Sequence, residues 1–260
     1  MPYQLVKTET EIELIRQSSL LVGKTLAEVA RYIYPGVTTK YLDEIAEAFI
    51  KAHGAYPSFK GYRGFPNALC TSVNDVVVHG IPNDTPLQEG DIISIDCGVL
   101  MNGYHGDSAY TFAVGQISEE KAMLMERTKA ALYKGIACAL HGNRTGDISH
   151  AIQSYTESFG YGVVRDLCGH GVGRELHEKP EITNFGRRGT GTRLETGMTI
   201  AIEPMINKGK KQVFTAKDGW TVRTADRRPS AHYEHTVVVG ARQAQILSTF
   251  EFIEDVLRDK

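Results

Sequence analysis

Ile93-Ser94-Ile95-Asp96 and Ile200-Ala201-Ile202-Glu203 are two short apolar runs, each closed by a carboxylate, and every residue of the first falls on the second at an offset of 107. Side chains alternate across a strand, so in each run the closing acid can face a cleft while its neighbours pack below. Working outward, Pro35-Gly36 to Gly54 falls on His141-Gly142 to Gly160 at an offset of 106, matching Thr39 with Thr145, Leu42 with Ile148 and Phe49 with Tyr155. The match indicates an internal duplication with halves at about 9–115 and 120–240. A second acid follows in each half: Asp107 before the apolar run to Val114-Gly115, and Glu234 before Val237-Val238-Val239-Gly240. Pseudo-twofold halves would bring these pairs together. The competing reading is chance matching between glycine-rich alternations of helix and strand.

The helical elements fit the same frame. Ile12, Ile15, Leu20, Leu21, Leu26 and Val29 make a stripe that predicts a helix over about 9–33, stopping before Pro35-Gly36. Thr38 or Thr39 caps a second helix, with Leu42, Ile45, Phe49 and Ile50 on one face and Gly54 at its end. The fold class is therefore α/β (α+β), read as a single domain over 1–260 with no linker between the halves.

Of the 260 residues, 42% are hydrophobic, enough for a substantial core. Lys plus Arg (29) nearly cancels Asp plus Glu (31), which excludes a global charge footprint for DNA or an anionic membrane. No run reaches membrane-spanning length, and the start, Met1 to Glu9, lacks a secretory pattern. Cys70, Cys97, Cys138 and Cys168 form no C-x-x-C pair and read as reduced thiols of a cytoplasmic protein.

Asp96, Asp107, His170, Glu203 and Glu234 each lie in or beside an apolar or glycine-rich run, where an ionised side chain is costly unless neutralised. Four carboxylates with one imidazole suit hard or borderline divalent cations, and they carry more charge than one dication would gather, which points to two. Taken singly, Asp96 and Asp107 read as turn or capping residues and Glu234 as a solvated edge charge. Around His170, the glycines of Leu167-Cys168-Gly169-His170-Gly171-Val172-Gly173 remove bulk and give a ligand access. The spacing is not that of a phosphate-binding loop, and no Walker lysine follows. His79 follows an apolar run and His177 lies seven residues after His170. Either one alone would read as a satisfied structural histidine.

In these segments the chain resembles the bacterial, type I methionine aminopeptidases. The most specific matches are Cys168-Gly169-His170-Gly171-Val172-Gly173 with His177-Glu178, Thr199 to Pro204, and Tyr233-Glu234-His235-Thr236. The resemblance spans essentially the whole chain and implies the pita-bread fold, whose two pseudo-symmetric halves agree with the duplication. It implies a dinuclear centre of Co, Mn, Fe or Zn in which Asp107 and Glu234 bridge, Asp96 completes one ion, and His170 with Glu203 completes the other. Glu203 would also shuttle the proton, His79 would contact the scissile amide nitrogen, and His177 would contact the carbonyl.

For the methionine side chain the resemblance implies a pocket including Tyr62, Cys70 and Trp220. Phe59, Phe65 and Leu176 stand where relatives have Cys, Tyr and Phe, and Arg63 where a His is common. Ordinary core packing is the alternative for Phe59, Phe65 and Trp220. A monovalent-cation site (Na or K) near Asn74, Val76 and Ser230 is implied as well. The expected activity is removal of the initiator Met from nascent chains, by a monomer, when the next residue is small. A transient ribosome contact through Lys208-Gly209-Lys210-Lys211 is a further hypothesis. The rivals are a proline-directed peptidase of the same fold and a non-catalytic binding protein on this scaffold.

Overall fold

Thr8 begins the first helix with a capping box: its hydroxyl accepts the Glu11 N–H at 3.3 Å, and the Glu11 carboxylate accepts the Thr8 N–H at 3.0 Å. This is α1 (Glu9–Ala30), seen in a computed structural model that describes residues 5–260. Met1 to Gln4, part of the N-terminal stretch read above, lie outside the described residues. The helix expected over 9–33 stops at Ala30, where the Arg31 N–H turns back to the Glu28 carbonyl at 3.1 Å. Thr38 caps α2 (Thr39–Ala52), accepting the Tyr41 N–H at 3.2 Å, and Gly54 leaves it at a φ of 70°.

The first half continues with strands β1 (Tyr56–Pro57), β2 (Leu69–Val73), β3 (Val76–Val78), β4 (Ile92–Met101) and β5 (Tyr104–Ala113). The second half begins with α3 (Glu119–Ile136) and α4 (Thr145–Glu157), then β6 (Gly162–Val163), β7 (Cys168–Gly171), β8 (Glu178–Thr183), β9 (Thr199–Ile202) and β10 (Met205–Asn207). It ends with β11 (Val213–Thr215), β12 (Val222–Thr224), β13 (Ser230–His232), β14 (His235–Val238), β15 (Gln245–Ile246) and α5 (Glu251–Arg258). One sheet joins β1, β4 and β2, with β5 on β4, and a second runs β15-β14-β9-β7-β8. Two smaller sheets, β13-β10-β6 and β11-β12-β3, complete the strands. A contiguous apolar core draws on both halves, from Leu21 and Leu26 of α1 to Ile253 of α5.

Strand register supports the duplication independently of sequence matching. Tyr56 and Pro57 pair with Leu100 and Val99, while Gly162 and Val163 pair with Asn207 and Ile206, the same pairs moved by 106 and 107 residues. Ile92 and Ile95 pair with Ala113 and Tyr110, as Thr199 and Ile202 pair with Val238 and His235. The register also corrects one expectation. Asp96 and Glu203 are equivalent, but the second acids are not: Asp107 pairs with Gly98, and its counterpart, paired with Met205, is His232. Glu234 stands instead where the first half has Ala109.

Asp96 does not end its strand. β4 and β5 are each ten residues long, joined by Asn102-Gly103 with φ of 54° and 78°, a tight two-residue hairpin. Asp96 and Asp107 therefore lie within the ladder and are neither turn nor capping residues.

Candidate metal centre

The two halves meet where β5 runs beside the β13–β14 segment. Glu234 donates its N–H to the Ala109 carbonyl at 3.0 Å, and the Ser108 hydroxyl donates to the Glu234 carbonyl at 2.6 Å. That contact faces Asp107 and Glu234, both buried, toward His170 on β7, and donor atoms of all three lie within 4.8 Å of one another. His170 Nε2 is 3.6 Å from Glu203 Oε1 and 3.9 Å from Asp107 Oδ2. Its Nδ1 lies 2.9 Å from the Gly171 carbonyl, which can only accept, so Nδ1 donates there and Nε2 is the nitrogen turned to the acids.

The acids lack what a buried anion needs. Asp96 Oδ1, Asp107 Oδ1 and Glu234 Oε1 are shielded from solvent and have no hydrogen-bond partner. Burial pushes the carboxyls of Asp96 and Glu203 up to about 7. Burial, reinforced by the neighbouring acids, holds Asp107 and Glu234 well above the usual carboxylate range. Orphaned oxygens converging with one imidazole nitrogen are a donor set that divalent cations satisfy.

Above the acids is a cavity of about 150 Å³ lined by every residue assigned to the site from sequence, together with Arg63. Phe59, Phe65, Cys70 and Leu176 are buried as an apolar cluster separate from the main core, with Tyr62, Ile81 and Trp220 packed against them. These aromatics thus form a pocket wall apart from the central core. Phe65 meets Trp220 edge-on at 5.2 Å, and Trp220 meets His79 at 6.5 Å. Tyr62 stacks on His177 at 5.1 Å, with its hydroxyl 2.9 Å from Nδ1. His79 adopts a φ of 57°, uncommon for a side-chain-bearing residue, and burial lowers its pKa to about 4. His177 is exposed on one side but still falls below the usual imidazole range, through desolvation by the pocket walls and then through His170.

The glycines around His170 do different work from that expected. A Cβ on Gly169 would strike the Ala201 carbonyl, and one on Gly171 the Lys179 carbonyl, so they permit close strand packing and do not open a path for a ligand. Two groups escaped sequence reasoning. His232, fully buried, has its Nε2 3.6 Å from Glu203 Oε2, and Ile81 packs against the apolar cluster that walls the pocket. The equivalence of His232 with Asp107 would have exposed the first, but only strand register reveals it.

Among the described residues Arg63 is the one lysine or arginine that lines this pocket, less positive charge than four acids require, and a duplicated frame closing on such a set defines the class of metal-dependent hydrolases built from two like halves. The chain belongs to metallopeptidase family M24, whose model matches residues 13–241, and within it to the methionine aminopeptidases. It is 53% identical to the methionine aminopeptidase of Clostridium acetobutylicum over 95% of this chain and 99% of that one. It is 49% identical to methionine aminopeptidase 1 of Bacillus subtilis over 94% and 98%. The crystal structure of methionine aminopeptidase from Rickettsia prowazekii superposes with a TM-score of 0.93 at 42% identity, covering 96% of this chain and all of that one. The prolidase of Pyrococcus horikoshii superposes at 0.78 with 23% identity over 95% of this chain and 64% of its own, a likeness of fold alone. The shared architecture is the expected pita-bread fold. Family membership implies divalent-metal binding, and among the described residues no helix is long and apolar enough to cross a membrane.

Proposed function

We propose that the chain, a methionine aminopeptidase, removes the initiator methionine of nascent proteins whose second residue is small, with two divalent ions held by Asp96, Asp107, His170, Glu203 and Glu234. The observation that carries this reading is a small apolar pocket floored by four acids, three of which hold a buried oxygen without a hydrogen-bond partner. Its volume suits one unbranched side chain, and its sulfur and aromatic walls suit a thioether. When bound, the ions would supply Lewis-acid polarisation of the scissile carbonyl and lower the pKa of water. The remaining steps belong to the side chains. Glu203 moves a proton toward the leaving amide nitrogen, which neutral His79 contacts. In the tautomer where Tyr62 O–H donates to Nδ1, His177 presents Nε2–H to the carbonyl oxygen as charge develops there.

The test is methionine release from Met-Gly-Met-Met and from a Met-Lys peptide by metal-stripped protein with Mn, Fe, Co or Zn restored, beside Glu203→Gln. Cleavage of the first peptide alone, lost in the variant, is expected. Failure with every metal, in folded protein that binds two ions, would favour a proline-directed or binding role.

The same reading includes a monomeric cytoplasmic enzyme that contacts nascent N-termini and, transiently, the ribosome, but neither DNA nor membrane. Lys208 is tied to Glu120 at 3.2 Å, which leaves Lys210 and Lys211 as the cations for ribosomal RNA. Charge reversal at both should weaken ribosome cosedimentation in a salt-dependent way, and unchanged cosedimentation would remove that contact from the proposal. A monovalent cation near Asn74, Val76 and Ser230 is supported by the meeting of those segments, where Ser230 N–H donates to the Asn74 carbonyl at 2.8 Å.

A further inference from the structure

His232 is 1% exposed, and neither ring nitrogen has a hydrogen-bond partner or contact with solvent. An unsatisfied buried polar group costs on the order of 1–3 kcal/mol, so a ring with two orphaned nitrogens would be poor material for a core. Its surroundings explain its presence better than packing does. Glu203 stands between two imidazoles: His170 Nε2 is 3.6 Å from Oε1, and His232 Nε2 is 3.6 Å from Oε2. The fold also directs this side chain inward, because in the duplicated frame position 232 is the counterpart of Asp107.

We propose that His232 is a positioning residue of the metal centre, donating Nε2–H to Glu203 Oε2 so that Glu203 meets an ion only through the oxygen beside His170. The assignment rests on the metal-centre reading above. A separation of 3.6 Å is longer than a hydrogen bond and needs closing by roughly 0.6 Å, a distance within reach of side-chain rotation. The movement falls to side chains because the backbone of His232 is pinned. Its N–H donates to Thr111 Oγ1 at 3.0 Å, and its carbonyl accepts from the same hydroxyl at 2.7 Å. On the other side, the Glu203 carbonyl accepts from Asn184 Nδ2 at 3.0 Å. His232 acts as a donor to Glu203 and not as a ligand, because its Nε2 is turned to Glu203 Oε2. Its part is to keep Glu203 from turning both oxygens to one ion, and so to keep Oε2 in place for the proton it moves.

The experiment is calorimetric titration of Mn²⁺ into metal-stripped wild type, His232→Leu and His232→Gln, with melting temperatures of the metal-free proteins and peptide kinetics alongside. Loss of a partner that orients a ligand typically costs 10- to 100-fold in metal affinity or activity, and that loss is expected in His232→Leu, as lower kcat with little change in KM. Its metal-free melting temperature should hold or rise, because two orphaned nitrogens are gone. His232→Gln, whose amide N–H can reach the same oxygen, should recover most of the affinity. A merely structural histidine would give the reverse: a lower melting temperature in His232→Leu with Mn²⁺ affinity intact. That result, or a Gln variant no better than Leu, would overturn the assignment. If the wild type itself bound no Mn²⁺, the metal-centre reading would fall and this inference with it.

Discussion

Thr236 holds Asp107 as Thr111 holds His232, each reaching across the pseudo-twofold axis to the strand of the other half. Thr236 Oγ1 donates to the Asp107 carbonyl at 2.8 Å and accepts its N–H at 3.2 Å, and Thr111 makes the same two bonds to His232 at 2.7 and 3.0 Å. One hydroxyl thus satisfies a buried donor and a buried acceptor that the local strand ladder leaves open. The halves are joined through groups at, or equivalent to, the metal-facing positions, which ties the site's geometry to the stability of the fold.

Thr236→Val keeps the shape of the side chain but removes both bonds, leaving the Asp107 N–H and carbonyl buried without partners. The expected cost is about 1–3 kcal/mol, read as a drop of several degrees in the melting temperature. Mn²⁺ affinity should weaken as well, since Asp107 loses its backbone anchor. Melting and metal binding at wild-type level would show that the clasp contributes nothing.

Stability of the metal-free protein should fall between pH 7 and pH 8.5. Asp96 and Glu203, held near 7, and Asp107 and Glu234, held well above the usual carboxylate range, keep protons that the unfolded chain has already released near pH 4. The native state therefore binds more protons in this window, and ΔG of unfolding declines as pH rises. Histidines with lowered values, such as His79 and His235, act with the opposite sign but below about pH 6.5, where the unfolded imidazole gains its proton. Mn²⁺ should reverse the trend, because it binds the deprotonated acids. Melts of EDTA-treated protein at the two pH values, with and without Mn²⁺, measure both effects. A flat metal-free curve would mean that the acids are not as buried as the geometry has them.

The Asp96–Glu203 equivalence was legible in the chain because strand and carboxylate recur at one offset, and the five acid and histidine positions were legible because ions in apolar runs need a reason. The strand boundary after Asp96 was misjudged because Gly98 looks like a turn. It is instead small because Ser58 and Phe59 press against it, and the true turn was announced by Asn102-Gly103. The supposed equivalence of Asp107 with Glu234 failed for a different reason. Both are acids preceding apolar runs, but register is a relation between strands, and no single stretch records it. His232 stayed hidden for the same cause, as a lone histidine between Ala231 and Tyr233 with no periodicity to mark it.

Tyr62→Phe tests whether the tautomer of His177 matters. The substitution preserves the ring stack and removes only the hydroxyl at Nδ1. Without that donor, Nδ1 competes with Nε2 for the proton, and the fraction of protein presenting Nε2–H to the carbonyl oxygen falls. A loss of roughly 10-fold in kcat, smaller than the ~10²-fold or more lost with a group that itself transfers the proton, is expected with KM nearly constant. Equal loss in KM and none in kcat would place Tyr62 in binding alone.

Lys7 and Glu178 form an ion pair at 2.6 Å with side chains only 6% and 3% exposed, joining the N-terminal segment to the residue after His177. Removing one member of a buried pair leaves the other charge uncompensated, at a cost of about 3–5 kcal/mol, whereas replacing both with apolar residues is often close to neutral. Lys7→Met should therefore lower the melting temperature sharply, and Lys7→Met combined with Glu178→Leu should recover much of it. Catalysis separates the two variants further. Glu178 Oε1 also accepts the Glu175 N–H at 3.2 Å, which helps shape the turn that carries Leu176 and His177 into the pocket. The double variant should thus fold well yet keep a reduced kcat. Full activity in the double variant would show that the pair stabilises the fold without orienting His177.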